Sequence, residues 1–193
     1  MIDARLVPDE QEGITPGEAV AGMALNGLGF ANRPLSLTPQ FFTNKPLNLL
    51  LREEMRAEMF NRCKLGRTLD EVHAYGCDLL FSELALAVCV QEGIDQRFHH
   101  LDTTSLSLSG ASVPESDEQA IPITHGYAKD HRPDLQHAVL ELLVSHDGGV
   151  PMVSKRWDGH ASDTQIFQER AAALLTAFAQ APTPRSLVAE AKL

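Results

Sequence analysis

Positive charge is scarce in this chain: 16 lysines and arginines stand against 26 aspartates and glutamates, a formal net charge of −10. That balance gives no chain-wide attraction for phosphate, so any contact with nucleic acid has to be local. Cysteine is scarce too, with Cys63, Cys77 and Cys89 alone and no Cys-x-x-Cys pair. A disulfide framework and a thiolate metal site are thereby excluded, and the three thiols read as reduced core residues. Long apolar runs are missing: no stretch approaches the roughly 18 to 20 uninterrupted apolar residues of a membrane span. The N-terminus, Met1-Ile2-Asp3-Ala4-Arg5, has no basic segment followed by an apolar one, so a soluble cytoplasmic protein is expected. What is present is 193 residues, 44% of them apolar, enough for one ordinary domain or two small ones.

Residues 1–14 are polar and acidic and read as a loose lead-in. Thr15-Pro16-Gly17-Glu18 then forms a capping box, predicting a helix from Pro16 to about Leu28 with Gly29 as its stop. Thr38-Pro39 and Lys45-Pro46 open short helices joined by proline turns, and a further helical face starts at Thr68 and breaks near Gly76. From Asp78 to Glu92 the apolar residues Leu79, Leu80, Leu84, Leu86, Ala87, Val88 and Val90 cover most sides, which predicts a central, buried helix ending at Gly93.

At Arg97 the apolar period shifts from 3.6 toward 2. Phe98 to Ser109 reads as a strand, Ala120 to Tyr127 as a second and Ala138 to Ser145 as a third, and Asp147-Gly148-Gly149 is a turn leading into a further extended piece, Val150 to Ser154. Asp163 is placed to cap a helix from Thr164 to about Ala179, and Ser186 to Ala189 begins a last strand. The expectation is an α+β chain: an all-helical N-terminal region, residues 1–96, followed by a mixed α/β half, residues 97–193. Strand, strand, strand, helix, strand is the opening topology of several α/β folds, the ribonuclease H-like fold among them.

Asp102, inside His99-His100-Leu101-Asp102-Thr103-Thr104, is the first residue with chemistry to explain, because an acidic side chain is disfavoured in a strand interior and calls for a metal or a hydrogen-bonded partner. The bland account is an aspartate satisfied by neighbouring hydroxyls. Adjacent strand residues face opposite ways, so His100 shares a face with Asp102 and His99 does not, and one His with one Asp falls short of a catalytic zinc set. Lys129 to Asp134 packs five ionisable residues into six positions, which a solvated hairpin loop also explains. In the cluster Trp157 to Asp163, Asp158-Gly159 is a turn signal and Asp163 a helix cap, which accounts for it without chemistry. Between Lys45 and Arg67, six basic residues (Lys45, Arg52, Arg56, Arg62, Lys64, Arg67) meet three acidic ones, a local basic surface able to touch phosphate or an ordinary mixed-charge helix face.

With these stretches laid out, the chain resembles the DDE transposases of bacterial insertion sequences that carry an N-terminal helical domain of unknown function. The residues behind the resemblance are Gly17-Glu18-Ala19-Val20 through Asn26-Gly27-Leu28-Gly29-Phe30, Arg33-Pro34-Leu35, Pro39-Gln40-Phe41-Phe42, Leu65-Gly66-Arg67-Thr68-Leu69-Asp70, Leu101-Asp102-Thr103-Thr104-Ser105, Gly126-Tyr127-Ala128-Lys129-Asp130-His131-Arg132-Pro133-Asp134, and Trp157-Asp158-Gly159 with Asp163. They span almost the whole chain, and the Lys-Asp-His-Arg-Pro-Asp run is the specific part.

The resemblance implies that residues 97–193 are the first half of a ribonuclease H-like catalytic domain with Asp102 as the first acid of a triad. It implies a second acid after the fourth core strand, in the context Leu187-Val188-Ala189-Glu190, where this chain has Glu in place of the family's usual Asp. Asp102 and Glu190 would then be catalytic and metal-binding, the cofactor Mg²⁺, and the partner DNA bearing terminal inverted repeats, with a second copy or a full-length transposase as protein partner. The family's third acid, a Glu on a later helix, has no counterpart in these 193 residues, so a truncated and catalytically incomplete member is expected. Two other readings stand beside this one. One is a non-enzymatic module that binds DNA or a transposase, and the other a small metal-dependent hydrolase built on Asp102, His100 and Glu190.

Overall fold

The computed structural model describes residues 1–6, 13–28, 34–108, 124–125, 135–158, 161–179 and 186–189. The protein is α+β, helices first and strands after, and it divides into two compact units, Met1–Leu80 and Phe81–Leu193. The boundary at residues 96 and 97 marks the change from helix to strand; by compactness the division falls inside the last helix before the strands.

The first unit holds α1 (Pro16–Gly27), α2 (Thr38–Phe42), α3 (Leu47–Leu50) and α4 (Arg62–Tyr75), with 3-10 turns at Ile2–Ala4, Leu35–Leu37 and Ala57–Phe60. The capping box forms as expected: Glu18 N–H donates to Thr15 Oγ1 at 3.1 Å and Thr15 N–H to Glu18 Oε2 at 2.9 Å. The lead-in is not loose throughout. Asp3 accepts from Thr15 Oγ1 at 2.8 Å and from Gly17 N–H at 2.6 Å, which adds a second cap to the same helix end. Leu6 and Ile14 are buried. Tertiary capping of this kind leaves no periodic trace in sequence, which is why a polar, acidic stretch reads as a tail.

Ile14, Ala19, Phe42, Leu47, Met55, Phe60 and Leu65 make the core of this unit. Phe60 is wholly buried and lies on Gly22, where a Cβ would come within 2.2 Å of the ring. Asn61 starts α4, its side chain accepting from Lys64 N–H at 3.0 Å, so this helix begins six residues before the Thr68 start read from the apolar face.

The second unit contains α5 (Cys77–Glu92) for most of its length, then β1 (Phe98–Leu108), β2 (Thr124–His125), β3 (Gln136–Ser145), β4 (Pro151–Asp158), α6 (Asp163–Ala179) and β5 (Ser186–Ala189). Helix α5 is less enclosed than its composition predicts. Leu80, Ala85 and Cys89 are buried, whereas Leu79, Leu86 and Val90 are exposed at 54%, 48% and 79%. Ala85 and Cys89 pack on Met152, the Sγ and Sδ atoms 3.2 Å apart, with Ile94, Val150 and Val153 around them.

The sheet runs β3-β1-β5 through its centre, with β1 antiparallel to β3 and parallel to β5. Strand β4 pairs antiparallel with the other edge of β3, and the two residues of β2 continue that row past the end of β4. β4 extends past the expected Ser154 to Asp158, so Asp158 belongs to a strand and not to the expected turn. The β3–β4 turn is pinned by Ser145, whose Oγ donates to Asp147 O at 2.6 Å and accepts from Val150 N–H at 2.9 Å, while Gly148 and Gly149 take φ of 70° and 60°. Ser162, not Asp163, supplies the cap of α6: its Oγ accepts from Gln165 N–H at 3.2 Å and its carbonyl from Ile166 N–H at 3.0 Å. Of the second expected strand, Ala120 to Tyr127, the described part is Thr124–His125; Ser109 and Gly29 lie outside the described residues.

Candidate functional site

Alternation along β1 sorts its side chains onto two faces. His99 and Leu101 are buried, with Thr103 and Ser105 half-buried; Phe98, Asp102, Thr104 and Leu106 are exposed, and His100 is half-buried. Residues opposite one another in an antiparallel pair point the same way, so Leu142 lies beside Asp102, Val144 beside His100 and Leu140 beside Thr104. Asp102 therefore stands near the middle of an exposed sheet face, flanked by aliphatic side chains.

Exposure removes most of the cost that a carboxylate in a strand would otherwise carry. Asp102 Oδ1 accepts a 2.8 Å hydrogen bond from the N–H of Thr103, a local contact that fixes the side chain without neutralising it. The parallel register of β1 and β5 runs Phe98↔Ser186, His99↔Leu187, His100↔Val188, Leu101↔Ala189. It ends at the residue before Asp102 and the residue before Glu190 in the sequence. Glu190 itself lies outside the described residues, as does the whole Lys129–Asp134 cluster. Among the described residues no three His, Cys, Asp or Glu side chains are grouped as a metal would need.

The two histidines before Asp102 separate as the strand period requires. His99 is 2% exposed on the inward face, while His100 reaches across the outward face to His146. His100 Nε2 and His146 Nδ1 are 2.9 Å apart, with ring centroids 5.2 Å apart and the ring of Phe98 edge-on to His146.

The inward face carries a charged group that sequence reasoning missed. Glu141, in the middle of β3 and 1% exposed, accepts from Trp157 Nε1 on β4 at 2.6 Å and from Arg170 Nε on α6 at 2.5 Å. Lys155 stacks its ammonium 3.8 Å from the centroid of the Trp157 ring. Both hydrogen bonds are charge-assisted; the one from Arg170 ties α6 to the sheet, and the one from Trp157 joins β4 to β3. Glu141 sits inside the apolar run Ala138 to Ser145, and a single acid in such a run is the one signal that marked it.

The basic surface of the first unit is smaller than its composition. Lys64 is 3% exposed, and Arg52 is engaged by Glu18 at 2.6 Å and by the carbonyl of Gly13 at 2.7 Å. Its hydrogen bond to Glu18 raises the Arg52 pKa further above its ordinary value. Lys45, Arg56, Arg62 and Arg67 remain exposed. Lys45 and Arg56 line a cavity of about 290 Å³ with Thr43, Asn48 and Glu58.

Residues 1–86 match a protein family described as a domain of unknown function, DUF4277. The match takes in the helical unit and the first ten residues of α5; it is what this part of the chain is similar to, and the strands lie beyond it. No curated protein and no solved structure matches the chain. Among the described residues no single helix is long and apolar enough to cross a membrane.

Proposed function

We propose that this chain is a DNA-transposition protein related to the DDE transposases of insertion sequences, with residues 97–193 forming the first half of a ribonuclease H-like catalytic domain. One observation carries the reading. A central strand, β1, is flanked by an antiparallel strand on one side and by a parallel strand, reached through helix α6, on the other, and it presents the carboxylate of Asp102 on an open face. The parallel strand leads in sequence into Glu190, the other carboxylate of the proposed pair.

The donor chemistry fits a hard divalent cation. Mg²⁺ takes oxygen ligands and keeps several waters, and Asp102 offers an exposed carboxylate whose neighbours are neutral or aliphatic. Asp102 and Glu190 are the residues that would hold it. When bound, such an ion activates a water or a 3′-hydroxyl and stabilises the leaving oxygen in phosphoryl transfer. Asp102 and Glu190 are two of the three carboxylates that the proposed chemistry uses, and with these two alone DNA is expected to be bound and not cut. Its partners are DNA bearing terminal inverted repeats and further copies of itself or an intact transposase, in the cytoplasm.

The test is retention of a duplex carrying the terminal repeats that flank the gene, against a scrambled duplex, at low salt and with Mg²⁺ present. The expected result is preferential retention that weakens steeply as salt rises, with no nicking of the DNA. Absence of retention even at low ionic strength sinks the DNA-binding reading. Mg²⁺-dependent nicking that disappears in Asp102→Ala overturns the expectation that two carboxylates do not suffice for cutting.

A further inference from the structure

The hydrogen bond between His100 and His146 joins two ring nitrogens at a sheet face, one from near the start of β1 and one from the start of the β3–β4 turn. Neither ring is enclosed: His146 is exposed and His100 half-buried. A neutral imidazole is among the commonest protein ligands for zinc, copper and nickel, and two of them brought together are the core of many such sites. Here the two nitrogens are 2.9 Å apart. With metal–nitrogen bonds of about 2.0 to 2.1 Å, a tetrahedral ion holds its nitrogens roughly 3.3 Å apart. The rings therefore need to part by a few tenths of an ångström and to turn so that both lone pairs face the ion, the donor imidazole moving its proton to its other nitrogen. His146 precedes Asp147-Gly148-Gly149, a turn with two left-handed glycines, and its ring faces solvent, so that adjustment is open to it.

We propose that His100 and His146 form a two-imidazole site for a borderline transition-metal ion, with Zn²⁺, Ni²⁺ or Cu²⁺ as the class of ligand and water completing the coordination shell. Mg²⁺, which prefers oxygen, does not compete for it. The site does not rest on the transposase reading. Asp102 lies two residues on from His100 on the same face, but its carboxylate is turned to the N–H of Thr103, so the protein ligands are the two histidines.

The test uses the tag-free full chain, stripped of metal, titrated calorimetrically with Zn²⁺ in millimolar Mg²⁺. One equivalent is expected to bind, and His100→Gln and His146→Gln are each expected to lower the affinity by about tenfold or more, since losing even an outer-shell partner costs that much. His73→Gln on α4 is expected to leave Zn²⁺ affinity within about twofold. Circular dichroism of each variant checks that it remains folded; His146, being exposed in a turn, is the substitution least able to disturb the sheet. No uptake by the wild-type chain, uptake unchanged in both histidine variants, or uptake lost in His73→Gln each overturns the site. None of these outcomes touches DNA retention, so the two readings fail separately.

Discussion

Arg170, one turn beyond the fully buried Ile166 on α6, donates from Nε to the carboxylate of Glu141 in the middle of β3. The carboxylate is 1% exposed and takes its second bond from the indole of Trp157. A buried charge left without its partner is costly, whereas replacing the charge itself by a neutral group of the same shape is much less so. Arg170→Met is therefore expected to destabilise the second unit by about 3 to 5 kcal/mol, because it strands the Glu141 carboxylate. Glu141→Gln retains an acceptor for the indole and is expected to cost less. Urea denaturation followed by Trp157 fluorescence, the chain having one tryptophan, orders the two; equal losses would show that the ion pair carries no weight of its own.

The pairing also explains what was legible in the sequence. Strands β1 and β3, helices α1 and α5 and the α+β order follow from apolar period and from turn and cap residues, all local signals. The start of α4 was missed because Asn61 caps it ahead of its apolar face, and the extension of β4 was missed because Trp157-Asp158-Gly159 carries a turn signature that pairing with Val139 and Ala138 overrides. Asp102 was visible as an acid inside a strand. Glu141 was hidden for the opposite reason: its meaning depends on Arg170, 29 residues away, and no spacing rule connects them. His100 was seen, but its contact with His146, 46 residues on, depends on the register of β1 with β3.

The contact between Gly22 and Phe60 makes a prediction of opposite sign to helix propensity. Alanine in place of a mid-helix glycine ordinarily stabilises by up to about 1 kcal/mol. In α1 the added Cβ would fall 2.2 Å from a ring that is wholly buried among Phe42 and its neighbours. Gly22→Ala is therefore expected to lower stability by about 1 to 3 kcal/mol through overpacking. A melting temperature at or above the wild-type value would show that Phe60 moves aside freely. Gly27, at the end of the same helix with open space around it, is the control position.

Asp3 and its two bonds to Thr15 and Gly17 predict that the first residues stabilise the helical unit. Asp3→Ala removes a charged cap that also complements the positive end of α1, and a loss of about 0.5 to 2 kcal/mol is expected. Thermal melting of the full chain reads it. A variant indistinguishable from wild type would return residues 1–6 to the status of a tail.

Thiol chemistry separates the three cysteines. Burial pushes the pKa of Cys89 above its ordinary value, and Asp147 adds to the shift. The sign follows directly: a raised folded-state pKa means that the neutral thiol fits the fold, so its contribution to stability is full below the unfolded-state pKa and declines as pH climbs from there through the folded value. Below that range Cys89 is both protected and protonated. Cys63 is exposed. A disulfide reagent at neutral pH is expected to modify Cys63 at once and Cys89 only on unfolding. Rapid native labelling of a Cys63→Ser chain at Cys89 would contradict the packing of α5 on Met152.

Asp102 is the residue on which the functional proposal turns, and its surroundings allow stability and function to be separated. It is exposed and makes a local hydrogen bond to the next backbone N–H. Substitutions at exposed positions away from networks shift stability by no more than about 0.5 kcal/mol, so Asp102→Asn is expected to melt with the wild-type chain. An amide is also a poorer Mg²⁺ ligand than a carboxylate. If Asp102 holds a hard cation with Glu190, millimolar Mg²⁺ or Mn²⁺ raises the melting temperature of the wild-type chain and leaves that of Asp102→Asn where it was, because a ligand stabilises only the state that binds it. Equal shifts in the two proteins would place the cation elsewhere, and a large loss of stability in Asp102→Asn would mean that the aspartate is part of the scaffold and not of a site.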